Sequence, residues 1–81
     1  MKINTRLIRK GNKNILLIKK QKNLVLGKQY DFIFEKIDKN KICENSILRR
    51  FNNDYFYFRI PTKIKGYLKL ESQKDYQIKI I

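Results

Sequence analysis

The chain has 81 residues, with 20 Lys or Arg against 7 Asp or Glu and a formal net charge of +13. That length supports one hydrophobic core, so 1–81 reads as a single domain, and a hydrophobic fraction of 42% is too much apolar material for a disordered tail. With no histidine and Cys43 as the only cysteine, imidazole acid-base chemistry, thiolate metal clusters and an intrachain disulfide are excluded, so no metal, no cofactor and a non-enzymatic role are expected.

Near the N-terminus, Met1 to Lys10 lacks the apolar core of a signal peptide. Ile8-Arg9-Lys10 closes a short strand, Gly11-Asn12-Lys13-Asn14 is a turn signal, and Ile15 to Lys19 is a second strand, which together make a β-hairpin. Lys20-Gln21-Lys22-Asn23 reads as a tight turn or one turn of 3₁₀ helix. From Gln29 to Ile37, Tyr30, Phe32 and Phe34 alternate with Asp31, Ile33 and Glu35, the period of a strand with one face in the core.

Asp38-Lys39-Asn40-Lys41 reads as a polar hairpin tip and Ile42 to Ser46 as an extended connector. A second hairpin follows, with Leu48-Arg49-Arg50, the turn Asn52-Asn53-Asp54, and Tyr55 to Ile60. The aromatic and β-branched content of that last strand predicts that it is largely buried, Tyr55 and Tyr57 included. Pro61 then opens one or two helical turns, because Ile64, Tyr67 and Leu68 are spaced i, i+3, i+4 and proline suits the first helical position. Lys74 to Ile81 alternates again and reads as the closing strand. The longest unbroken apolar runs, Ile15 to Ile18 and Tyr55 to Phe58, are too short to span a bilayer, so the expectation is a cytoplasmic protein with no membrane partner.

The passage is written twice. Ile8 to Lys19 returns forty residues on as Leu48 to Arg59, and Leu24, Leu26, Gln29, Asp31, Phe32 and Phe34 return, at an offset of forty-four, as Leu68, Leu70, Gln73, Asp75, Tyr76 and Ile78. The copies run from about 3 to 38 and from about 46 to 81. A unit of this size cannot bury a core alone, so the pair is expected to complete one fold.

Phe58-Arg59-Ile60-Pro61 with its helix, Leu68-Lys69-Leu70, and Asp75-Tyr76-Gln77-Ile78 resembles the swapped-hairpin DNA-binding domain of AbrB- and MazE-type proteins. Arg9-Lys10-Gly11-Asn12 resembles the basic hairpin of the same family. The first copy departs from the pattern, with Lys19-Lys20-Gln21 in place of Arg-Ile-Pro and no helix, and Gln29-Tyr30 and Gln73-Lys74 replace the family's Gly-Asp turn. The resemblance implies a mostly β, AbrB-like barrel of two tandem ββ(α)β repeats, with one short helix near residues 61–68. Its DNA-facing unit would be a single-chain pseudo-dimer, with homodimerisation as the competing option.

Charge and repeat together point to nucleic acid, since a polyanion relieves the self-repulsion of so basic a chain. Arg9, Arg49, Arg50 and Arg59 lie in or beside the repeated hairpins, and a guanidinium can bridge phosphate oxygens or the O6/N7 edge of guanine. Lys10, Lys13, Lys63 and Lys65 are expected phosphate contacts. Asn12 and Asn52 are candidates for nucleic-acid contact for which a turn role is at least as good an account. Duplex DNA, bound by a transcription regulator or nucleoid-type protein, is the first expectation; a small basic RNA-binding or ribosome-associated barrel is the alternative. Asp31 and Asp75 read as turn or ion-pair residues rather than a catalytic dyad.

Overall fold

The computed structural model describes residues 1–37 and 41–81, so the predicted tip at Asp38-Lys39-Asn40 lies outside the described residues. Among the described residues the elements are β1 (Lys2–Lys10), β2 (Lys13–Lys19), β3 (Gln29–Phe34), β4 (Cys43–Ile47), β5 (Arg49–Arg50), β6 (Tyr55–Ile60), α1 (Thr62–Tyr67) and β7 (Lys74–Ile80). They form one antiparallel sheet in the order β4-β3-β7-β1-β2-β6-β5. Only Leu48 separates β4 from β5, so the two ends of the sheet are consecutive lengths of one segment and the sheet curls into a near-closed barrel. The class is mostly β with one short helix, as the sequence predicts; α1 is neither long nor apolar enough to cross a membrane.

The copies exchange strands. The last strand of the second copy, β7, pairs with the first strand of the first copy, β1, and β3 pairs with β4 in return. The self-related pairs β2·β6 and β3·β7 lie on the pseudo-twofold axis. A hairpin alone is marginal in water, and the exchange gives each one a third strand from its counterpart.

Alternation decides what is buried. In β1, Ile3, Thr5 and Leu7 point inward, and in β6 so do Phe56, Phe58 and Ile60, while Lys2, Asn4, Arg6, Tyr55 and Arg59 are exposed. The two copies meet ring on ring: Phe32 and Phe58, both fully buried, stack with centroids 4.8 Å apart, and Tyr30 packs edge-on against Phe58 at 6.1 Å. Buried Thr5 is satisfied by donating its hydroxyl hydrogen to the Tyr76 carbonyl at 2.7 Å.

The structure moves the register of the repeat. The Tyr30 hydroxyl accepts from Val25 N–H at 2.8 Å and the Tyr76 hydroxyl from Glu71 N–H at 2.7 Å. Gly27 N–H bonds the Leu48 carbonyl at 2.8 Å, and Gln73 N–H bonds the Leu7 carbonyl at 2.6 Å. Tyr30 therefore matches Tyr76, Gly27 matches Gln73 and Leu7 matches Leu48, one to two residues away from the sequence alignment. Gly27 and Gln73 also share a positive φ, 82° and 68°. Leu24 accordingly corresponds to Leu70, both buried, and Leu26, aligned with Leu70 on sequence, is 43% exposed.

Four smaller differences follow from sheet geometry. β3 stops at Phe34, and Cys43–Ile47 is a strand rather than a connector because β3 supplies its ladder. Pro61 is the N-cap, with φ −58° and ψ 144°, so its ring precedes the helix instead of opening it. Tyr55 and Tyr57 lie on the outer face, exposed and half-buried, because their alternate neighbours Phe56 and Phe58 take the core.

Candidate nucleic-acid interface

The barrel has two unlike walls. Strands β1, β2, β5 and β6 carry Lys2, Arg6, Arg9, Lys10, Lys13, Lys19, Arg49, Arg50 and Arg59 and no carboxylate; β3, β4 and β7 carry Lys74 and Lys79 with Asp31, Glu44 and Asp75. Swapped pairing is the cause, since it places the two basic hairpins side by side through β2·β6 and the two acid-bearing closing strands side by side through β3·β7.

On the cationic wall the register sets Arg6, Leu17, Tyr57 and Arg49 in one row across four strands. Ile8, Ile15 and Arg59 form the next row, and Lys10 and Lys13 the one beyond. The middle of this face is apolar: Ile15 is only 4% exposed although it lies outside the core cluster. Phe51 packs edge-to-face on Tyr57 at 6.2 Å, and Lys10 Nζ sits 5.0 Å over the Phe51 ring, so the two hairpins touch.

Besides Lys10, the predicted residues divide into four groups. Lys13, Arg49 and Arg59 line one groove of about 630 Å³ with Tyr57, Pro61 and Ile64. Arg9 and Arg50 occupy matching positions and fold back on their own loops: Arg9 Nε donates to the Gly11 carbonyl at 3.2 Å, and Arg50 donates to Asn53 Oδ1. Asn52 builds its loop, its Oδ1 accepting from Asp54 N–H at 2.8 Å and Tyr55 N–H at 2.9 Å, while Asn12 sits exposed in the tight turn that Gly11 opens with φ 60°. Lys63 and Lys65 are on α1, exposed and half-buried respectively.

Sequence reasoning passed over two features. Lys19, Lys20 and Lys22 line a second hollow of about 640 Å³ with Asn53, Asp54 and Tyr55; three cations in four residues were the available signal. Arg6 stands at the end of the central row, where it pairs with Asp75 at 3.0 Å on an exposed surface. Asp31 holds backbone, accepting from Asn45 N–H at 2.8 Å. Asp75 thus has the surface ion-pair role expected of it, whereas Asp31 sits within β3 and braces the β4 backbone across the sheet rather than a turn.

Burial pushes the Cys43 thiol up to about 11, with nearby Lys41 opposing. Lys74 is raised by its hydrogen bond and ion pair with Glu71. Among the described residues no group of three or more Cys, Asp or Glu side chains is placed to hold a metal ion. Comparison with protein-family models, with curated proteins and with solved structures found no match to this chain.

Proposed function

We propose that this chain binds nucleic acid, taking duplex DNA on the β1-β2-β6-β5 wall as a regulator or nucleoid-type protein of the AbrB-like swapped-hairpin kind, its two copies acting as a pseudo-dimer. The observation that carries this reading is the segregation of charge, nine cations and no carboxylate on four adjacent strands. Arg6 and Arg49 at the ends of the central row and Arg59 in the next reach outward from rigid strands, where a planar fork suits phosphate or guanine edges. Lys10, Lys13, Lys63 and Lys65 add contacts that position without specifying sequence.

Each phosphate neutralised releases counterions, so log affinity falls with log salt by about 0.9 per contact, and six contacts cost roughly a thousandfold between about 50 and 200 mM salt. Titration of duplex DNA across a salt series is expected to show such a slope. It should flatten in Arg49→Glu with Arg59→Glu and be little changed in Lys74→Glu with Lys79→Glu on the opposite wall. A flat salt dependence, or no binding at low salt, rejects the proposal. Mass in solution with and without DNA separates a one-chain pseudo-dimer from a homodimer.

One observation favours single-stranded RNA as a second reading. Tyr55 is 39% exposed beside Lys19, on the same face as Tyr57 and Phe51, and aromatic rings among cations suit base stacking. Competition between duplex DNA and single-stranded RNA for one labelled probe decides between them.

A further inference from the structure

The near-closed barrel keeps one seam. β4 pairs with β3 and β5 with β6, with only Leu48 between β4 and β5, so β4 and β6 converge on the Arg49↔Tyr57 pair. The strands are too close there to admit another. The groove of about 630 Å³ over the seam therefore offers a ligand its side chains. Its volume lies within the range of about 300 to 1,000 Å³ usual for small-molecule clefts.

Its charge is unbalanced. Lys13, Arg49 and Arg59 line it against a single carboxylate, Glu44, which leaves two positive charges. The other three arginines of the chain are engaged, Arg6 with Asp75 and Arg9 and Arg50 with their own loops. Among the described residues, Lys13, Arg49 and Arg59 have no ion pair and no side-chain hydrogen bond. Arg49 lies directly opposite Tyr57, and Arg59 follows two residues along the same face of β6, roughly 7 Å on, so both guanidinium forks can reach one anion. Cations so placed repel one another, and a ligand with two negative charges offsets them. A phosphate monoester carries about −1.5 to −2 near pH 7, whereas each phosphodiester of a nucleic-acid backbone carries one charge.

We propose that this groove binds a small phosphate monoester with an aromatic body, a mononucleotide. Arg49, Arg59 and Lys13 hold the phosphate. The base lies against the rest of the lining, which is apolar or aromatic at Ile42, Tyr57, Pro61 and Ile64. Arg49 and Arg59 belong also to the proposed DNA wall, so a bound nucleotide excludes DNA from them. That consequence rests on the duplex-DNA reading, whereas nucleotide binding itself does not.

The test is titration of the full chain, without DNA and followed by NMR, with adenosine 5′-monophosphate, adenosine 3′,5′-cyclic monophosphate and adenosine, which share a base and differ in charge. Saturable shifts at Arg49, Tyr57, Arg59 and Ile64 are expected with the 5′-monophosphate, at an affinity about tenfold or more above that of the cyclic ester. The chain has no histidine, and the Cys43 thiol beside the groove is raised to about 11. Between about pH 7.0 and 5.5 the ligand's own second ionisation, near about 6, therefore governs, and the 5′-monophosphate should weaken about fourfold while the cyclic ester does not. Arg49→Gln with Arg59→Gln should weaken the 5′-monophosphate by about tenfold or more. Lys74→Gln with Lys79→Gln removes as much charge from the opposite wall and should leave it unchanged. The ester comparison and the pH series use the parent chain, so they hold even where a variant fails to fold. The proposal is overturned if the three adenosine compounds bind alike, if the 5′-monophosphate keeps its affinity at the lower pH, or if the lysine pair costs as much as the arginine pair.

Discussion

The first hairpin is tight and fully laddered; the second is loose and splayed. β1 and β2 are joined by the two-residue loop Gly11-Asn12, while β5 and β6 are joined by Phe51-Asn52-Asn53-Asp54; Phe51 N–H bonds the Tyr55 carbonyl, facing it as Lys10 faces Lys13, so the turn proper is one residue longer and the match moves by one between the two strands of the hairpin. Both strands keep their faces, so the outer position held by Ile8 in the first copy is held by Arg49 in the second. The duplication therefore kept the core and let the surface diverge: Leu7 and Leu48 are both buried, as are Leu16 and its counterpart Phe58.

The comparison breaks most sharply in the core. Phe58→Ala should cost about 3 to 5 kcal/mol and Leu16→Ala about 2 to 5, with Phe58 the larger because it stacks on Phe32 and holds Tyr30. Equal losses in urea unfolding would mean that the two copies share the core evenly.

Cys43 and Ile3 are the next pair, each buried and each facing the opposite copy's closing strand, through Phe32 and Ile78. The thiol is raised from 9.0 to about 11 in the folded chain. Below the unfolded value both states hold the proton and stability is complete; as pH rises from there to the folded value, the unfolded state ionises first and stability falls, by up to roughly 1.4 kcal/mol per pH unit. Cys43→Val should remove the part of the alkaline decline that this thiol causes, measured by denaturant midpoints against pH.

Gly27 and Gln73 give a smaller test. Both need positive φ, which glycine adopts freely and glutamine does not. Gln73→Gly should stabilise by up to about 1 kcal/mol and Gly27→Gln should destabilise by a similar amount, read as opposite shifts in Tm. The smallest effect is expected from Arg6→Ala, which loses an exposed ion pair with Asp75 worth about 0 to 1 kcal/mol; a larger loss would assign Arg6 a structural part in the cationic wall.

What the amino-acid order determined by itself was local: the hairpins, the helix after Pro61, the alternating closing strands, the duplication, and the basic residues of the proposed interface. Each depends on periodicity, turn chemistry or composition, which act over a few residues. Only the tertiary structure decided the register of the repeat, because the inserted loop residue and α1 shift the copies while the hydrogen bonds of Leu7 and Leu48, Tyr30 and Tyr76, keep their true correspondence. It also decided which face of Tyr55–Ile60 turns outward, that Arg9 and Arg50 bind their own loops, and that Lys13, Arg49 and Arg59 share a groove. Those outcomes depend on pairings between residues far apart in the chain, set when the exchanged strands close the barrel, and no local pattern encodes which strand will lie beside which.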